Sequence, residues 1–114
     1  MAKQRYFLTV ANLAQARGGD PALAFDGIGP AALAARLQDA LRSDALFQRW
    51  KATQPEPDEV DPSLGVIDAG AEPTGTETSR SELELVTSLP MSIVKQRLNW
   101  LIGASWQLRD MKSA

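Results

Sequence analysis

The chain contains no cysteine and no histidine in its 114 residues. Without cysteine there is no disulfide, no thiolate nucleophile and no thiolate-held zinc. Without histidine there is no imidazole base and no imidazole metal ligand. Aromatics are sparse: three Trp, three Phe and one Tyr make up 6% of the chain. Long apolar runs are missing as well, and none approaches the ~20 residues that a membrane-spanning helix needs.

What is present suits one small folded unit. Apolar residues make up 44% of the sequence, enough to build a core. A single α+β domain over residues 1–114 is the expected organisation. The first five residues, Met1 to Arg5, are basic, like the start of a signal peptide. Tyr6 to Val10 is too short and too β-branched for the apolar part of such a leader, and reads as a strand. The expected location is therefore cytoplasmic, with no membrane contact.

The net charge of -2 conceals segregation. Residues 1–52 carry seven bases and four acids. Residues 53–84 carry nine acids and one base, and residues 85–114 carry four bases and one acid. The net charges are thus +3, -8 and +3 along the chain. Such asymmetry bears on partner choice more than on fold.

Alternation predicts strands at Arg5 to Ala11, Leu64 to Ala69 and Glu82 to Thr87. Both faces of the first are fairly apolar, which suits a central position. In the last, Leu83, Leu85 and Thr87 share one face and Glu82, Glu84 and Val86 the other, as in a sheet covered on one side. A short additional strand at Ala22 to Phe25 is a minor option. Gly29-Pro30 opens a helix with Leu33, Leu37, Ala40 and Leu41 as its apolar stripe. Continuing that stripe would bury Asp44, so the helix is expected to break near Ser43, with Ser43 capping a second short helix. A last helix is expected from Pro90 to Arg109. Pro55, Pro57 and Pro62 make residues 53–63 an acidic loop, and residues 71–81 read as a mobile Ser/Thr-rich loop. The expected fold is a three-stranded antiparallel or mixed sheet with helices on one face, in the order β-α-β-β-α.

Candidate chemistry is thin. Gly27, Ile28, Gly29, Ala31 and Ala32 surround a helix start and loosely match a dinucleotide fingerprint; they are the candidate ligand-binding residues for a phosphate or nucleotide anion. Pro30 removes one of the amides such a site needs. Glu56, Asp58, Glu59 and Asp61 are dense, but their prolines do not suit a calcium loop, and no metal ligand set is assigned. Glu82 and Glu84 read as charges at a strand margin rather than an acid–base pair. Ser92 and Lys95 have the Ser-x-x-Lys spacing without its companion motifs. Lys95, Arg97, Arg109 and Lys112, read together on the last helix, could meet nucleic acid. Tyr6 and Phe7 point to opposite faces and give no stacking platform, so that reading ranks third.

No catalytic residue and no cofactor is assigned, and the balance leans away from an enzyme. The leading expectation is a protein-interaction or regulatory module, with a homodimer as one form it could take. Phe7, Ile93, Trp100 and Trp106 are the candidate interface residues. The alternative is a small-molecule or anion binder at Gly27 to Pro30.

Overall fold

The computed structural model describes residues 3–21, 23–77 and 80–114. Its elements run β1 (Gln4–Val10), α1 (Gly29–Arg42), α2 (Ala45–Ala52), β2 (Glu72–Glu77), β3 (Ser81–Thr87), α3 (Met91–Ile102) and β4 (Trp106–Ser113). Short 3-10 turns lie at Leu13–Gln15, Pro57–Glu59 and Pro62–Gly65. The four strands form one antiparallel sheet in the order β2-β3-β1-β4. The class is α+β, as the sequence indicates. The described sheet has four strands rather than three, and the order gains a strand at the end.

β1 is central in the sheet, paired with β3 on one side and β4 on the other. Tyr6, Leu8 and Val10 are buried beside Leu83, Leu85 and Thr87 of β3, beneath the helices. The Tyr6 hydroxyl donates to the Leu89 carbonyl at 3.2 Å, and burial raises its pKa. The same registers place Arg5, Phe7 and Thr9 of β1 on the other face, with Glu82, Glu84 and Val86 of β3. The smallest extent of the Cα trace is 18 Å, the thickness of one sheet and one helix layer.

α1 follows its stripe: Leu33, Leu37, Ala40 and Leu41 are buried. The break at Ser43 occurs where the charge of Asp44 demands it. Ser43 closes α1 instead of opening α2; its hydroxyl donates to the Asp39 carbonyl at 3.0 Å, and Asp44 precedes α2. α2 then buries Leu46 and Phe47, and Trp50 stacks on Trp100 at 5.0 Å.

Four expectations are corrected. Leu64 to Ala69 is not a strand; it is a strap across the end of α1. Its carbonyls at Leu64 and Val66 accept from the buried Arg97, and the Asp68 amide donates to the Leu41 carbonyl at 2.8 Å. Backbone groups engaged this way are not free to form a ladder. Within residues 71–81, Glu72–Glu77 is strand β2 rather than loop; Thr78 and Ser79 lie outside the described residues. The last helix stops at Ile102, not Arg109. Gly103 has φ 65° and ψ -137°, a conformation that glycine enters at little cost. The chain turns there and β4 returns along the free edge of β1. The optional strand near Ala22 to Phe25 is also not formed: Leu23 lies in a turn, and Ala22 is outside the described residues.

Asp68 pins the strap to the sheet. Burial works against its charge, but Ser88 N–H (3.0 Å), the Thr87 hydroxyl (2.7 Å) and Gly70 N–H (2.9 Å) all donate to it. With Lys3 adding to them, these contacts lower its pKa from 3.8 to about 2. The depressed folded pKa means that this stabilisation is complete above about pH 4 and is lost as pH falls toward about 2. Asp68→Asn is expected to cost about 1–2 kcal/mol at neutral pH, after discounting for partial exposure. Urea midpoints between pH 7 and pH 2 check this: the variant's acid limb should be flatter than that of the wild type.

Candidate functional site

The sheet face opposite the helices is the best-organised exposed surface. Its residues follow from the strand registers: Thr74 and Thr76 on β2, Glu82 and Glu84 on β3, and Arg5, Phe7 and Thr9 on β1. On β4 a bulge shifts the register, so that Phe7 pairs with Asp110 and Leu8 pairs with Leu108. Arg109 is the extra residue. It shares the open face, with its Nε donating to the Thr9 hydroxyl at 3.2 Å. Phe7 is half-buried at the centre, with the Lys112 ammonium 5.6 Å from its ring centroid. A hollow of about 220 Å³ lies beside it, lined among others by Thr9, Thr76, Glu82, Glu84 and Arg109.

The charges on this face are arranged in rows. β3 contributes the acidic row Glu82 and Glu84; β4 contributes the basic side chains Arg109 and Lys112. Arg5 forms an ion pair with Glu84, and Arg80 approaches Glu82 at 3.8 Å. Both carboxylates therefore face guanidinium groups, which suits electrostatic recognition better than proton transfer.

β4 is the second unusual feature. It lies at the edge of the sheet, and Gln107 to Ser113 are all exposed. On the helix side, Leu108 is 41% and Met111 53% exposed, although the register aligns them with the buried Leu8 and Tyr6. The outer edge of β4 has no strand partner among the described residues.

The residues singled out from sequence are dispersed. Gly27, Ile28, Gly29, Ala31 and Ala32 do lie together at the start of α1. Ile28 is 94% exposed and Gly29 has φ 84°. Arg17 reaches the Gly27 carbonyl at 3.4 Å, which helps fix the loop. Ile93 belongs to the core at 6% exposure. Trp100 is partly buried on Trp50, and Trp106 is partly buried, its indole N–H donating to Asn99 Oδ1 at 2.9 Å. Only Phe7 of the four proposed interface residues lies on the open face.

The basic residues also divide differently. Arg97 is fully buried in α3, while Arg109 and Lys112 belong to β4. Ser92 and Lys95 are both exposed on α3. A wider hollow of about 490 Å³ lies between α1, α2 and the loop at Pro21 to Asp26, where Arg36 is held by Asp26 at 3.0 Å. Among the described residues there is no group of three or more acidic side chains placed to hold a metal ion, and no helix is long and apolar enough to cross a membrane. The β4 edge was missed because its residues read as the end of a helix. Only Gly103 signalled otherwise.

Comparison with family models, curated proteins and solved structures finds no match to this chain. The geometry defines an open-faced antiparallel α+β layer structure and leaves function to be argued from its surface.

Proposed function

We propose that this protein is a non-catalytic interaction module that binds another polypeptide chain through β4 and the adjoining open face. One observation carries the reading: the edge strand β4 is exposed from Gln107 to Ser113 and holds Leu108 and Met111 out of the core. An unpaired edge offers backbone donors and acceptors to an incoming strand. Exposed apolar side chains beside it supply the area that such docking buries. The acidic side chains of β3 and the basic ones of β4, on either side of Phe7, add orientation rather than affinity.

A photo-crosslinking side chain tests this in cells that make the protein. Placed at Gln107 on β4, it is expected to give a discrete protein–protein adduct. Placed at the exposed Ala35 of α1, it is expected to give none. Adduct formation at Gln107 no greater than at Ala35 would overturn the reading.

A further inference from the structure

The geometry points to a second copy of this chain as the occupant of the β4 edge, paired antiparallel with its own β4 about a two-fold axis through the Arg109–Asp110 bulge. This inference rests on the interaction reading above and names its partner. It would join the two four-stranded sheets into one of eight strands, with both helix layers on the same side.

The backbone fixes which groups are free. Ala11 N–H donates to the Ser105 carbonyl, and Ala114 N–H donates to the Lys3 carbonyl, so Ser105 and Ala114 both face β1. Antiparallel ladders alternate between inward and outward residues. Counting inward from each end, Trp106 and Leu108, and then Ser113 and Met111, direct their amides and carbonyls to the free side. Met111 N–H, which β1 does not use, donates instead to Oδ1 of its neighbour Asp110 at 2.8 Å, and pairing would exchange that local bond for one across the interface.

A two-fold pairing must match each outward residue with another outward residue. The register that places Leu108 opposite Met111 of the second copy does so, and it also places Trp106 opposite Ser113. An ordinary strand could not self-pair in this register, because two residues separate Leu108 from Met111 and the alternation would fail. The bulge supplies the missing step. It sets Arg109 and Asp110 on the same face and returns Leu108 and Met111 to the other.

The side chains then complement one another by symmetry. Leu108 and Met111 form two apolar cross-strand pairs on the helix side, where both are now exposed. Arg109 meets Asp110 of the second copy twice on the open face. Opposite charges directly across an antiparallel pair attract, and like charges repel. A bulged edge bearing Lys and Arg discourages a flat, regular strand. A strand with the same bulge and the reverse order of charge fits it, and this chain carries that strand.

Charge exchange provides the test, by sedimentation equilibrium of the full chain. Wild type is expected to show a concentration-dependent monomer–dimer equilibrium. Arg109→Asp alone and Asp110→Arg alone each turn two attractions into two repulsions and should weaken the dimer about 30-fold. Mixing the two single variants restores both pairs and should give a heterodimer of near wild-type affinity; the double variant should recover likewise. In the wild type, amide exchange at Leu108 and Met111 should slow as concentration rises. A wild type that stays monomeric up to about 1 mM, or single variants that do not rescue each other, would overturn self-pairing. If Gln107 still crosslinks to a different polypeptide in that case, the interaction reading survives; if it does not, both fail.

Discussion

Arg97→Ala is expected to destabilise the protein by about 3–5 kcal/mol, the largest loss foreseen for any single substitution here. Arg97 is 0% exposed in the middle of α3, with no carboxylate partner among the described residues. Its charge is met by oxygen atoms instead. The Leu64 and Val66 carbonyls accept from Nη2 at 3.0 and 3.2 Å, the Ala40 carbonyl accepts from Nε at 3.4 Å, and Gln96 Oε1 accepts from Nη1. The rings of Trp100 and Phe47 lie 5.1 and 5.9 Å away. Ala40 is near the C-terminal end of α1, where the helix dipole favours a cation. Burial lowers the pKa to about 10, so the group remains charged at neutral pH.

One side chain thus joins α1, α3 and the strap. Removing it strands several inward-facing carbonyls and opens a cavity, each costly by itself. Arg97→Met separates these effects, because it retains most of the volume and supplies no donor. It is expected to lose about 2–3 kcal/mol. Chemical denaturation with matched slopes reads both values. An Arg97→Met variant within about 0.5 kcal/mol of wild type would show that the hydrogen bonds contribute little.

Arg97 also illustrates where sequence reasoning stops. Its position falls inside the apolar stripe of α3, but charge alone makes it look like a surface base. Its partners are backbone carbonyls, which leave no mark in a sequence. The same carbonyls explain the strap. Leu64 to Ala69 has the β-branched residues of a strand, but Val66 and Ile67 are exposed and the backbone serves Arg97. By contrast, β1, β3 and the break at Ser43 were legible because each rests on local constraints. Alternation sets the two strand faces, and Asp44 cannot continue a buried stripe.

β4 was hidden by a coincidence of periods. Leu108 lies where both a continuing helix and a returning strand place an apolar residue. Tertiary context decides, because β1 has a free edge and Gly103 can adopt φ 65°. The open face around Phe7 followed from the alternation of β1. The charge rows and the self-complementary edge did not, since they depend on a strand that the helical pattern concealed and on a bulge that no composition reveals.

Gly75→Ala is the other substitution expected to have a large effect, about 3 kcal/mol of lost stability. β2 has little intrinsic reason to be a strand: its sequence is polar and includes Pro73 and Gly75. It is held by pairing with β3 and by the close approach of α1. A Cβ added at Gly75 would lie 2.0 Å from the Pro30 carbonyl oxygen and 2.3 Å from its carbon. Those are backbone atoms at the start of a helix, so no side-chain rotation relieves the clash. Either α1 lifts from β2 or β2 leaves β3. Both expose part of the stripe formed by Leu33, Leu37 and Leu41. The first turn of α1 should then lose amide-exchange protection, while the β1–β4 ladder at the far side of the sheet keeps it. Gly19→Ala is the control, because a Cβ at Gly19 meets nothing within 4 Å. Equal losses from the two substitutions would mean that glycine's backbone freedom, not the approach of α1, sets the cost at position 75.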